Sequence, residues 1–301
     1  MNGTAEPAVT TSLNAGPAPT AAIADPPARA GIMLELLGAA ILIAGLVIRG
    51  PGVIGIGLLF LIFLPIEKLF ALRRQKVFRR GWLTDFTHIL VNNTISTIAG
   101  IALGVAMAIP LIWLRPFDLE GQLPTEVSVA LAVVIVLLGS YWGHRLSHTV
   151  PFLWRFHAVH HSIEEMDWLA SGRLHPLDQA FTTACFLAPL IVLGYDGGVF
   201  GGVAVFFVAL GLFQHSNTRL RFPGIRWVIN TPQWHHWHHS SHLEARDKNF
   251  GVPVVDRIFG TAYLPKGTYA TEFGIPDPVP ATSYVRHMMY PFTKAARATA
   301  A

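Results

Sequence analysis

The amino-acid sequence predicts an all-α integral membrane protein with about four transmembrane helices and a further membrane hairpin. A histidine-rich helical cap is expected on its cytoplasmic side. Three observations predict this class. Hydrophobic residues make up 52% of the 301 residues and charged residues only 13%, whereas soluble domains average roughly 25% charged residues. The apolar residues form long runs. All of the 14 histidines except His88 and His287 lie between His144 and His242.

The N-terminal part predicts a tail followed by a helical hairpin. Residues 1–30 are rich in Ala, Pro, Thr and Gly without apolar periodicity, so we expect a disordered tail and no cleaved signal peptide. Apolar runs follow at Ile32–Ile48 and Val53–Ala71, separated by the turn residues Arg49–Pro51. Since about 20 apolar residues cross a bilayer, these runs predict a transmembrane hairpin.

The next loop gives the clearest topological signal. It carries five basic residues, Arg73, Arg74, Lys76, Arg79 and Arg80. By the positive-inside rule, this loop is predicted to be cytoplasmic. A span from about His88 to Leu114 leads to the acidic loop Asp118–Glu126, and Val127–Trp142 crosses back. This order delivers His144 to the cytoplasmic surface.

The second half predicts a membrane hairpin and a polar C-terminal region. Two apolar segments, Leu177–Leu193 and Val199–Phe213, are separated by a glycine-rich break, and their lengths allow either a full or a re-entrant hairpin. Residues 244–260 are predicted to lie outside the lipid. We expect one membrane-embedded domain over residues 31–265 and a loosely ordered tail over 266–301, because no repeat or linker divides the chain.

Three histidine motifs indicate a metal centre. His144 and His148 are four residues apart at the end of an apolar helix, and two HxxHH motifs follow, His157–His161 and His235–His239. Side chains three and four residues apart share a helix face, and neutral imidazole is a common ligand for iron, zinc, copper and nickel. Three such pieces can surround a pair of metal ions.

The number of histidines favours two metals over one. The motifs supply eight, and His215 and His175 could raise this to ten. Two six-coordinate metals offer about twelve positions, whereas a structural zinc needs about four. His236 is expected to point away from the metals, and His242 to be a surface residue or a partner of a ligand. Since Cys185 is the one cysteine, disulfides and iron–sulfur clusters are excluded. Groove-reading and base-stacking motifs are absent, so nucleic acid is not an expected partner.

The three histidine motifs occur together with four further short motifs: Arg173-x-His175-Pro176, His215-Ser216-Asn217, Asn249-Phe250-Gly251 and Asp256-Arg257-x-x-Gly260-Thr261. In this combination, the sequence resembles the fatty acid hydroxylase / sterol desaturase superfamily. The resemblance covers about Trp82 to Tyr263. It implies two iron ions, dioxygen as co-substrate, and hydroxylation or desaturation of a C–H bond in a lipid such as a sterol, fatty acyl chain or sphingolipid.

The resemblance also implies residue roles and partners. The implied iron ligands are His144, His148, His157, His160, His161, His235, His238 and His239, with His215 as a ninth and His175 as a tenth. Asn249 and Asp256 are expected to orient ligands or to hold the cytoplasmic cap, with a role as turn and cap residues equally compatible. The electrons must come from an external ferredoxin or cytochrome with its reductase. The loop Arg73–Arg80 could dock this donor, although its role in topology explains it more simply.

Two alternatives stay open at this point. Imidazole ligands also permit zinc, so a non-redox membrane hydrolase of the same architecture is possible. A metal-ion transporter is the other alternative. Transport predicts polar ligands at mid-membrane depth, whereas most of these histidines flank the spans at one end.

Overall fold

The structure is a computed structural model that describes residues 50–117, 119–195 and 197–299. The expected tail 1–30 and the apolar run Ile32–Ile48 lie outside these residues. Within the described part, the chain is helical, with isolated β-bridges and no strand. The α-helices are α1 Gly50–Leu69, α2 Trp82–Ala108, α3 Leu119–Gln122, α4 Thr125–Thr149, α5 Pro151–His161, α6 Pro176–Val192, α7 Gly197–His215, α8 Pro232–His238, α9 Pro253–Ile258, α10 Tyr284–Met289 and α11 Lys294–Thr299. Short 3₁₀ segments cover Ile109–Phe117, Trp168–Gly172, Leu243–Ala245 and Tyr290–Phe292.

Two of the described helical segments are long and apolar enough to cross a membrane. They are Ile95–Leu114, of 20 residues, and α4, of 25 residues. Only 22% and 28% of their most apolar windows are buried inside the protein, and large side chains such as Ile98 and Trp113 are exposed. An apolar surface this extensive is typical of contact with lipid. The prediction of an all-helical, membrane-associated chain is therefore confirmed, whereas the number of spans stays a prediction.

Helix α6 packs between α2 and α4 because glycines let the backbones approach closely. A Cβ atom on Gly139 of α4 would lie 2.6 Å from Phe186 Cα and 2.7 Å from the carbonyl oxygen of Cys185. On the other side, Cβ atoms on Gly100 and Gly104 would lie 2.9 Å from side-chain carbons of Thr183 and Leu187. Small residues thus fix the position of α6 beside both predicted spans.

Prolines begin the helices that carry the histidines and their supports. Pro151, Pro176, Pro232 and Pro253 each occupy the first turn of a helix, where the missing amide hydrogen costs nothing and the fixed φ angle favours helix. The extended residue Val150 separates α4 from α5. Because the chain changes direction there, α5 folds back and its histidines face those of α4.

The C-terminal segment differs from the loosely ordered tail expected for residues 266–301. Its described part, up to residue 299, folds against the histidine-bearing region, where Tyr290 and Ala296 form a buried cluster with Ala158 and Val159 of α5. His287 is also fully buried. These apolar side chains cover the outer face of α5, and that burial orders the segment.

The basic loop also differs from expectation, because one of its five cations lies in the interior. Arg79 is 3% exposed and its Nη2 atom lies 2.7 Å from Asp85 Oδ2 and 2.6 Å from Asp167 Oδ1. Arg173 pairs with the other side of Asp85. Burial opposes the charge on Arg79, but the two carboxylates outweigh it and raise the pKa of the guanidinium. Arg79 therefore links the loop to the protein interior and contributes little to the surface charge.

Candidate metal centre

Nine of the ten predicted histidine ligands lie together in two groups. The first group is His144, His148, His157, His161 and His238; the second group is His160, His215, His235 and His239. Within each group, one ligating atom per residue can be chosen so that all lie within 4.8 Å of one another. The groups adjoin, since the rings of His161 and His239 stack with centroids 4.4 Å apart. Each group therefore has the size of one metal site.

Helical geometry divides the two HxxHH motifs between the groups. In α5, His157 and His161 are four residues apart and belong to the first group, whereas His160 belongs to the second. At α8, His235 and His239 belong to the second group, and His238 to the first. Adjacent residues on an α-helix point about 100° apart, so the two consecutive histidines of each motif reach different groups.

Five of the nine rings are held through Nδ1 by an oxygen that can only accept a hydrogen bond. The pairs are His144 with the Phe250 carbonyl (2.6 Å), His157 with Asp178 Oδ2 (2.9 Å), His160 with the Arg173 carbonyl (3.1 Å), His215 with the Gly211 carbonyl (2.7 Å) and His238 with the Lys248 carbonyl (2.7 Å). Each Nδ1 must therefore donate its hydrogen. In a neutral imidazole, that leaves Nε2 with a free lone pair.

The free lone pairs face one another, which is the strongest structural sign of a metal site. His144 Nε2 lies 3.1 Å from His157 Nε2, and His160 Nε2 lies 3.3 Å from His215 Nε2. Two acceptors at this distance form no hydrogen bond, but both can coordinate a cation. In addition, the Nε2 atoms of His148, His161 and His238 are buried without a hydrogen-bond partner, as unused metal ligands would be. The residues therefore fit bound metal.

Burial keeps these rings in the protonation state that metals require. Desolvation, with repulsion from neighbouring histidines, holds the pKa values of His160, His161, His235, His238 and His239 well below the usual range. All five are therefore neutral at pH 7. No carboxylate belongs to either group among the described residues. A metal held here would keep most of its positive charge.

Asp178 contacts the first histidine group, and the sequence did not single it out. It is buried near the start of α6, where it accepts hydrogen bonds from His157 Nδ1 and, at 3.2 Å, from Ser147 Oγ. The available signal was a carboxylate three residues after His175, in the first turn of an apolar helix. Nothing in the local pattern pairs it with a histidine 21 residues earlier.

Asn249 and Asp256 act through the backbone and touch no histidine ring by hydrogen bond. Asp256 accepts hydrogen bonds from the amides of Phe250 and Gly251, at 2.8 and 2.9 Å. Asn249 has a positive φ of 60° and bonds to the backbone of Trp234 and Tyr263. These bonds shape the loop whose carbonyls, from Lys248 and Phe250, accept from His238 and His144. Their roles as turn residues or as supports of ligands stay predictions.

The remaining histidines lie outside both groups. His175, the tenth predicted ligand, caps α6 by accepting from the Leu177 amide, and its Nε2 atom lies 3.2 Å from the Met288 carbonyl. His236 is buried and belongs to neither group; its Nε2 atom lies 3.4 Å from the backbone carbonyl of His215 and its ring packs against Phe273. His242 is exposed. His88 and His287 form a buried hydrogen-bonded pair of 2.9 Å.

Comparison with known proteins identifies the class that this fold and site define. The fatty acid hydroxylase family profile matches residues 129–261, which include all nine grouped histidines. An ornithine lipid hydroxylase of Rhizobium tropici is 31% identical over 247 residues, which are 79% of this chain and 73% of that protein. The chain belongs to the fatty acid hydroxylase family.

Two more distant relatives are lipid monooxygenases by name. An alkylglycerol monooxygenase of Danio rerio is 28% identical over 70% of this chain and 50% of its own length. That of Homo sapiens is 27% identical over 54% of this chain and 40% of its own length. The matched region thus spans half or less of these two relatives. No solved structure matches the chain significantly. These comparisons confirm the predicted family and the predicted enzyme class, an oxygen-dependent oxidoreductase.

Proposed function

We propose that this protein is a membrane-bound di-iron enzyme that uses dioxygen to hydroxylate a C–H bond of a membrane lipid. One observation carries the proposal: two adjoining groups of imidazoles have lone pairs that face one another, and neither group contains a carboxylate among the described residues. The ligands are the nine grouped histidines, without His175. Nine ligands shared between two six-coordinate metals leave about three positions free for oxygen or water.

The protein's own residues prepare this site in three ways. When bound, the irons supply the redox chemistry that activates dioxygen. The carbonyls of Phe250, Lys248, Arg173 and Gly211, with Asp178, fix the tautomer and orientation of five rings before any metal arrives. The buried surroundings of the rings exclude water. An external ferredoxin or cytochrome with its reductase supplies the two electrons.

The substrate proposed is a lipid with a polar head. The relatives named above act, by their names, on ornithine lipid and alkylglycerols, and the exposed apolar faces of α2 and α4 let an acyl or alkyl chain approach from the bilayer. Those names also favour hydroxylation over desaturation. Sterol, fatty acyl and sphingolipid substrates stay within the proposed class.

The proposed topology is multi-pass, with the histidine groups on the cytoplasmic side. The charge difference between the basic loop at residues 73–80 and the acidic loop at 118–126 supports it. We further propose that the enzyme domain begins near residue 31 and includes the C-terminal helices α10 and α11. Tyr290 and Ala296 are buried against α5, and His287 of α10 bonds to His88 of α2, which supports including this segment beyond residue 265.

An isotope experiment tests the proposal against the zinc hydrolase alternative. Membranes containing the full-length chain, an electron-donating reductase system and a mixture of polar lipids are incubated under ¹⁸O₂, and in parallel in H₂¹⁸O. The proposal predicts a hydroxylated lipid whose new oxygen comes from ¹⁸O₂, absent with His160→Ala. Incorporation from H₂¹⁸O alone, with cleavage of the lipid, would establish hydrolysis and overturn the proposal.

A further inference from the structure

A basic and aromatic patch lies outside the histidine groups, centred on Trp227. We call it the Trp227 patch; its residues are Ile225, Arg226, Trp227, Val228, Arg257 and Ile258. The guanidinium carbons of Arg226 and Arg257 lie 4.7 and 3.9 Å from the centre of the Trp227 ring. The two arginines come from separate parts of the chain, the segment before α8 and the helix α9. The fold therefore brings two like charges to one indole.

Among the residues that the structure describes, these two charges have no counterion. Within the described residues, neither guanidinium has a carboxylate partner or a hydrogen bond, and Arg226 Nε is buried without a hydrogen-bond acceptor. Stacking on an indole stabilises a guanidinium only modestly, and the two charges repel each other. An anion beside Trp227 would satisfy both, since guanidinium binds phosphate in a bidentate manner.

The patch continues the lipid-facing surface of α4. Trp142, 42% exposed on that helix, packs against Phe259 with ring centroids 5.2 Å apart. Phe259 follows α9 directly, and Arg145 lies over Trp142 at 5.3 Å. Around the arginines, Val228 and Ile258 are 61% and 71% exposed. Exposed apolar side chains mixed with Trp and Arg are typical of the headgroup region of a membrane.

We propose that the Trp227 patch binds the anionic headgroups of bilayer phospholipids, with its apolar side chains inserted among the acyl chains. The patch is linked to the histidine groups, because Phe259 stacks on Tyr141 at 4.8 Å and Tyr141 contacts Phe250, whose carbonyl holds His144. Binding of headgroups therefore sets the depth of the histidine groups relative to the lipid surface. The proposal does not depend on the metal or on the reaction.

Lipid binding to the purified full-length chain tests it. Energy transfer from tryptophan to pyrene-labelled phosphatidylglycerol in mixed micelles is measured during titration with unlabelled phosphatidylglycerol or phosphatidylcholine. Wild type is expected to prefer phosphatidylglycerol. In the double variant Arg226→Gln/Arg257→Gln, the ratio of the affinities for phosphatidylglycerol and phosphatidylcholine should fall about fivefold for each arginine removed. Trp227→Phe should lose the largest share of the transfer, since that indole lies at the site.

Matched variants separate a specific site from general charge. Lys266→Gln/Lys294→Gln removes two exposed charges elsewhere and should bind as wild type does, and Arg226→Lys/Arg257→Lys should keep most of the preference. Equal losses in the arginine and lysine double variants would overturn the proposal, as would an arginine variant that binds like wild type. Displacement of the labelled lipid by inorganic phosphate as effectively as by phosphatidylglycerol would show a site for free anions instead.

Discussion

At the scale of the residue, the oxygens behind the histidines distinguish this site from an ordinary polar cluster. A histidine whose Nδ1 donates to a carbonyl or carboxylate offers Nε2 as a lone pair. His144 and His157 are both held in this way and face each other at 3.1 Å. The sequence predicted which histidines lie together, because the spacing within each motif is local. It did not predict Asp178 or the carbonyl of Phe250, since these partners come from distant parts of the chain.

The first prediction concerns the carboxylate behind His157. Asp178→Asn removes its charge and, in one amide orientation, its hydrogen-bond acceptor, while the shape is kept. We expect metal affinity to fall about 10- to 100-fold with the helical content unchanged. The measurement is the rate of metal loss to a chelator. Leu177→Ala, at the exposed preceding residue, is the control, and an Asp178→Asn protein that retains metal as the control does would contradict the assigned role.

The second prediction concerns pH and the buried His287. Burial, with the nearby positive charge of Arg173, lowers the pKa of His287 from 6.5 to about 4. In the unfolded chain, His287 therefore binds a proton below pH 6.5, whereas in the native state it stays neutral down to about pH 4. The free energy of unfolding is therefore unaffected by this residue above pH 6.5 and decreases as the pH falls from 6.5 to about 4.

At about pH 5 the expected loss is about 2 kcal/mol, from 1.36 kcal/mol per pKa unit. Thermal unfolding in detergent between neutral pH and that value measures it. His287→Gln should show a shallower dependence on pH than wild type, whereas His242→Gln, at an exposed position, should behave as wild type. An equally steep dependence in the His287 variant would exclude this residue as the source.

At the scale of the element, the rule that residues three and four apart share a helix face explains which histidine contacts the sequence predicted and which it did not. The rule predicted that His157 shares a face with His160 and His161. It did not assign His160 and His161 to different groups, because the position of each group depends on α4, α7 and α8 packing around α5. Likewise, the apolar runs predicted α2 and α4, but the close contact of Gly139 with α6 depends on helix packing.

The third prediction compares two glycines within helices. Gly139→Ala places a methyl group against the backbone of α6, and such overpacking costs roughly 1–3 kcal/mol. We expect a lower unfolding temperature and weaker metal retention, because α6 carries Asp178. At Gly211 a methyl group would meet nothing within 4 Å, so Gly211→Ala should be neutral or stabilising. Equal stability of the two variants would mean that α4 and α6 are not in close contact.

At the scale of the whole molecule, charge and histidine placement predict the same orientation. Arg79 is neutralised inside the protein, yet Arg74, Lys76 and Arg80 of the same loop stay exposed. The remaining positive charge still favours a cytoplasmic loop. The membrane association follows from composition alone. The folding of the C-terminal helices could not be predicted from composition, because their few apolar residues are buried by distant parts of the chain, Tyr290 and Ala296 by α5 and His287 by His88 of α2.

The fourth prediction tests this orientation. In a Cys185→Ser background, a membrane-impermeant thiol reagent should label Lys266→Cys in inverted vesicles and not in intact cells. Gln122→Cys should show the opposite pattern. Both positions are exposed. Labelling of both residues from the same side would contradict the proposed topology, while leaving the geometry of the histidine groups unaffected.

The central claim is that the two histidine groups hold two irons, and metal content tests it most directly. Elemental analysis of the full-length protein, purified in detergent from iron-sufficient cells, is predicted to give about two irons per chain. His239→Ala should lose iron, whereas His242→Ala, an exposed histidine three residues further along, should retain it. Absence of stoichiometric metal, or stoichiometric zinc that persists after iron reconstitution, would contradict the account.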